Sequence, residues 1–170
     1  MVGFASMAWW LLLLAGWQAT RGSVYAEVGA LSAAFMAGLV VGSSAARRWS
    51  FVGPGFLAAV LTAGAGVSLV IAAGAPLAFP RATIVPLLVV AGSLTGAAFP
   101  AVAALAGRGE TRRGAGRGFA ADEGGAGIAA LAVGLLVLPW AGMTAVALGI
   151  AVVQVGTSAA IGLSVRRRPS

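Results

Sequence analysis

The chain has 170 residues, 60% hydrophobic and 9% charged, with no histidine and no cysteine. That composition lies outside the soluble range. It also removes disulfides, iron–sulfur clusters, thiol catalysis and the usual ligands of haem, zinc and copper. The net charge of +7 comes from eleven arginines and no lysine; they fall between apolar runs rather than in a stripe, which points to cytoplasmic loops and not to nucleic acid.

A spanning helix needs about 20 mostly apolar residues, because the hydrocarbon core is roughly 30 Å thick and each residue rises about 1.5 Å. Six such runs are predicted. The first covers about 4–20, with Trp9, Trp10 and Trp17 as interfacial anchors. Its start carries no basic n-region, so it reads as a retained helix and not as a signal peptide. The second covers about 24–46 and ends at Arg47 and Arg48. The third covers about 53–77 and is broken by Pro76 and Pro80 before Arg81. The fourth runs over about 83–106. A polar, Gly-rich cytoplasmic loop at 107–117 follows, carrying Arg108, Arg112, Arg113 and Arg117. The fifth covers about 120–139 and the sixth about 143–165, before Arg166, Arg167 and Arg168. The expectation is an all-α polytopic bundle forming one integral membrane domain over 1–170, with no room for a soluble catalytic domain.

Arginines fix the orientation. The loop after the second run has two, the loop after the fourth has four and the tail has three, whereas the alternate loops hold only Arg21 and Arg81. The positive-inside rule then places both termini in the cytoplasm, in what reads as a bacterial inner (plasma) membrane, with anionic lipid against the basic loops.

Helices in lipid associate by close backbone approach, since water does not drive apolar surfaces together there. In the second run Ala30, Ala34, Gly38, Gly42 and Ala46 recur every four residues as a small-residue ridge, with Phe35, Leu39 and Val40 on other faces. Gly92, Gly96 and Pro100 repeat the spacing in the fourth, and Ala126, Ala130 and Gly134 in the fifth. Gly64-Ala-Gly66 and Gly114-Ala-Gly116 resemble part of a phosphate-binding fingerprint, but neither joins a strand to a helix, so both read as packing or loop glycines.

Few polar residues need explanation. Glu27 lies in the first turn of the second run, where a carboxylate complements the helix dipole. Asp122 and Glu123 open the fifth; they read as caps paired with the arginine loop or as a cation or proton station. Gln154 sits near the middle of the sixth with Thr157 one turn on, and a buried glutamine there reads first as a bond to a neighbouring helix. No nucleophile–base pair or metal constellation is present. The sequence implies no cofactor, although a quinone site needs no such ligand and stays open.

Five segments occur in order: Gln18 followed by Gly22-Ser-Val-Tyr25; Ala33-Ala-Phe-Met36-Ala-Gly38-Leu-Val-Val-Gly42; Gly96-Ala-Ala-Phe99-Pro100; Phe119-Ala-Ala-Asp122; and Leu138-Pro139-Trp-Ala-Gly142. Together they resemble the membrane region of fused spermidine-synthase-like proteins, relatives of the polyamine aminopropyltransferases with attached spans. Glu123 and Gly124 depart from the apolar residues expected there. In that family the chemistry belongs to a soluble Rossmann-like domain, which has no counterpart here, so the resemblance implies a membrane half without its enzyme. The expectation is a non-enzymatic membrane subunit that anchors a partner, either a separately encoded synthase-like protein or a larger membrane complex. Arg108, Arg112, Arg113 and Arg117 form its docking or lipid-contacting surface. The alternative is a small transporter acting as a homodimer, with Glu27, Asp122, Gln154 and Thr157 along its route.

Overall fold

A computed structural model describes residues 1–21, 25–48, 53–75, 80–107 and 111–166, with backbone alone at Arg21, Arg81, Thr111 and Arg113. Every element in it is helical: α1 (Val2–Arg21), α2 (Tyr25–Arg48), α3 (Pro54–Gly74), α4 (Arg81–Gly107), α5 (Thr111–Ala129), a π-helix (Ala130–Val137) and α6 (Leu138–Arg166). Among the described residues five helical stretches are long and apolar enough to cross a membrane, the last being the 53 residues Gly114–Arg166. The chain is an all-α integral membrane helix bundle.

That last stretch is not straight. Gly142 breaks it with φ 76° and ψ 171°, a combination that essentially only glycine adopts. Val133 and Val137 on one side of the break line a cavity of about 240 Å³ with Val146, Ile150 and Val153 on the other. On a straight helix Val133 and Val153 would be roughly 30 Å apart. The chain therefore folds back at Gly142.

The π-helix ends just before Pro139. Proline has no N–H for the carbonyl four residues back, and its ring crowds that carbonyl; the wider turns of a π-segment relieve both. At the start of α3, Gly53 is extended and Pro54 takes the first helical position, where its missing N–H costs nothing. Pro86 and Pro100 lie inside α4, as bundled membrane helices tolerate.

One expectation is corrected here. The segment read as a flexible loop over 107–117 is helical from Thr111, so Arg112 and Arg117 stand on α5. Arginine and alanine are good helix formers. Just beyond the segment α5 meets α4: a Cβ on Gly118 would lie 3.5 Å from the Ala103 Cα. Arg108, Pro76, Arg167 and Arg168 fall outside the described residues.

The most enclosed helix is α1. Its Ala8, Leu12 and Leu13 are fully buried, with Ala5 and Trp9 nearly so, and it packs on α4, α5, the π-helix and α6. Around it, α2 pairs with α4 and α3 with α6. Trp9 is thus a core residue and not the interfacial anchor its residue type suggests.

Candidate functional site

The α2–α4 pair shows how closely this bundle is drawn together. A Cβ on Gly38 would overlap the Val89 carbonyl, and one on Gly42 the Ser93 carbonyl. Reciprocally, Gly92 lies against the Phe35 carbonyl and Gly96 against that of Leu39. Residue numbers rise together on both helices, so the two run parallel. Small residues let helix backbones approach this closely in lipid, where van der Waals packing drives association.

The seam does not follow the strict four-residue ridge. Ala30 is exposed and Ala34 half-buried, while the buried stripe of α2 is Leu31, Phe35, Gly38, Gly42 and Ala46. Four residues turn a helix about 400°, so a four-residue repeat drifts about 40° per step and leaves a straight partner within a few turns. Phe35 and Leu39, assigned above to other faces, belong to the seam through their carbonyls. On α5 and the π-helix that continues it, Ala126, Ala130 and Gly134 are half-buried, with Gly134 beside Leu11. The tighter stripe on α1 passes through Asp122, Gly125, Ala129 and Val133.

A short polar chain ties α1, α3 and α6 together in the interior. The Trp9 indole Nε1 donates to Ser68 Oγ at 2.7 Å, and Ser68 Oγ donates to Gln154 Oε1 at 3.1 Å. All three residues are buried. Gly64 makes room for them, since a Cβ there would meet Gln154 Nε2 and the Trp9 ring. Towards the end of the same α3–α6 seam, Ser158 donates to the Ala58 carbonyl at 2.9 Å and its hydroxyl pairs with that of Thr62 at 2.9 Å. Ser68, Thr62 and Ser158 escaped the sequence reading. Serine and threonine can satisfy their own helix carbonyls, so only the pairing of α3 with α6 distinguishes them.

Glu27 lies at one end of α2, where its Oε2 accepts from the Trp17 indole at 2.6 Å. At the opposite end Asp122 is half-buried against the first turn of α1. The Gly3 backbone N–H faces its carboxylate, and a Cβ on Gly3 would strike both the carbonyl and the carboxylate of Asp122. Asp122 thus caps α1, a neighbouring helix, rather than α5, where a carboxylate meets the unpaired N–H groups and the positive end of the dipole. Glu123 beside it is exposed. Asp122 lines three cavities at once, of about 350, 220 and 120 Å³. The smallest also includes Thr157, whose hydroxyl is spent on the Val153 carbonyl at 2.8 Å.

No family model, curated protein or solved structure matches this chain.

Of the four polar residues set along a transport route, Asp122 and Thr157 line one cavity, Glu27 stands at the opposite end of the bundle, and Gln154 is buried between them. Among the described residues, no three of Asp and Glu gather where they could hold a metal ion. Arg112 and Arg117 are exposed on the first half of α5. The side chain of Arg113, like Arg108, lies outside what is described.

Proposed function

We propose that this protein is a non-enzymatic integral membrane subunit that crosses the bilayer six times, with both termini cytoplasmic, and anchors a partner. The observation that carries the reading is the self-satisfied interior where α1, α3 and α6 meet. The interior polar groups Trp9, Ser68 and Gln154 are bonded to one another, and the glycine seam between α2 and α4 is in backbone contact. A route for a polar solute needs groups left free to line it.

The six-crossing topology has geometric support. The helices α1 and α5 run parallel, since Gly3 meets Asp122 and Leu11 meets Gly134; so do α2 and α4. By contrast α3 and α6 are antiparallel, as Ser158 meets Ala58 and Gln154 meets Ser68. Strict alternation of six spans, the last two joined at Gly142, requires all three relations. The arginine counts then put Arg112 and Arg117 in the cytoplasm, on an exposed helical face suited to an acidic protein surface or anionic lipid. A separately encoded synthase-like protein is the partner the motif resemblance suggests.

Native-mass measurement after mild-detergent purification from the source membrane tests this. The expected result is a stoichiometric foreign chain that is lost when Arg112 and Arg117 are replaced by glutamate while orientation is retained. A homogeneous monomer or homodimer overturns the reading.

A further inference from the structure

We propose that the cavities meeting at Asp122 bind an amphipathic organic cation: a single ammonium or phosphonium centre carried on an apolar body. The inference goes beyond the subunit reading and does not depend on it. The two larger cavities, about 350 and 220 Å³, share Leu39, Thr95 and Asp122 as a common wall. The larger volume suits a small-molecule site, which is characteristically apolar with a few placed polar groups.

The rest of the lining decides the ligand. Trp10, Phe35 and Met36 line the larger cavity and Phe99 the smaller. Aromatic rings attract organic cations through their quadrupoles, and methionine adapts to irregular apolar shapes. The buried hydroxyls in the wall are already committed: Ser6 donates to the Gly3 carbonyl at 3.0 Å and Thr95 to the Ala91 carbonyl at 2.9 Å. Among the described lining residues the charged side chains are acidic, Asp122 shared by both cavities and Glu123 beside it in the larger; the Met1 ammonium acts on Asp122 from outside both linings. Half of the chain's four acidic residues meet here, in a molecule of net charge +7.

An anion has no partner among the described residues of this wall, and a neutral apolar molecule gains nothing from the charge of Asp122 and Glu123. A polycation with charges spread along its length would bury most of them against Trp10, Phe35 and Met36 without a counter-charge, at heavy desolvation cost. A single centre of positive charge with an apolar remainder satisfies both halves. Met36 is largely exposed on the outer side of α2, so the larger cavity is open to entry from within the bilayer.

The test is saturation binding of labelled tetraphenylphosphonium to the full chain in phosphatidylcholine nanodiscs, with empty discs as background. One saturable site per chain is expected. Asp122→Asn should weaken it about tenfold or more, because the amide can still accept from the Gly3 N–H but carries no charge. Met36→Trp, which fills the larger cavity and keeps the carboxylates, should weaken it comparably. Spermidine at equal concentration should not displace the probe. Uptake no greater than in empty discs, an unchanged affinity in Asp122→Asn, or displacement by spermidine overturns the proposal. If Asp122→Asn fails to fold, Met36→Trp decides: loss of binding supports the site and unchanged binding overturns it.

Discussion

The backbone carbonyl of Ser93 fills the space that a side chain on Gly42 would need. Because the obstacle is main chain, no rotamer change relieves it; α2 and α4 must separate. Gly42→Val is therefore expected to cost about 1–3 kcal/mol, the range of core overpacking. Gly66→Ala on α3, where nothing lies within 4 Å, should stay within about 0.5 kcal/mol of the parent, as is usual for surface changes. Reversible unfolding in mixed micelles reads both.

The Trp9–Ser68–Gln154 chain makes a second expectation. Ser68→Ala removes a hydroxyl that both accepts and donates. The loss should be about 1–2 kcal/mol, near the upper end for interhelical bonds in membranes. Adding Gln154→Leu should cost less than the two single losses combined, since the leucine leaves no amide seeking the missing hydroxyl. A double-mutant cycle measures that coupling; strict additivity would mean the two residues do not communicate.

Gly142 offers a test of backbone geometry free of packing. Nothing lies within 4 Å of a Cβ built there, yet its φ of 76° disfavours any L side chain. Gly142→Ala should destabilise by about 1–3 kcal/mol. Gly149→Ala, in equally open space but on helical backbone, should be neutral or stabilising by up to about 1 kcal/mol. Equal thermal midpoints for the two variants would show that the chain does not need its reversal at Gly142.

The absence of cysteine from the sequence allows a clean topology measurement. Single cysteines at Arg117 and at Trp140, both exposed positions, should label from opposite sides with an impermeant maleimide. Arg117→Cys should react only when the cytoplasmic face is accessible, and Trp140→Cys from outside in intact cells. Labelling of both from one side would rule out the six-crossing arrangement.

The apolar runs made the helices readable, because the bilayer demands long hydrophobic segments wherever the chain crosses. Gly38, Gly42, Gly92 and Gly96 were readable as packing residues for the same reason, although their partners were not. What sequence spacing could not supply was the turn-by-turn drift of the helix, which replaced Ala30 with Leu31 and Phe35 in the seam. Local composition misled at 111–117, where glycine and arginine suggest a loop but the neighbouring α4 stabilises a helix. Tertiary relations were hidden altogether. Asp122 looks like a cap for its own helix and in fact serves α1, and Trp9 looks like an anchor but bonds Ser68, fifty-nine residues away.

The central place of α1 bears on how the protein is made. This helix leaves the ribosome before every element that encloses it, and its contacts on α5, at Asp122 and Gly125, emerge more than a hundred residues later. Until then α1 has only α2, α3 and α4 to pack on, lipid tails must cover the side that α5, the π-helix and α6 later take, and the Trp9 indole can already bond Ser68. A chain arrested after α4 would hold its tightest glycine seam already formed and α1 covered on one side alone, a half-built intermediate that membrane quality-control proteases are positioned to remove.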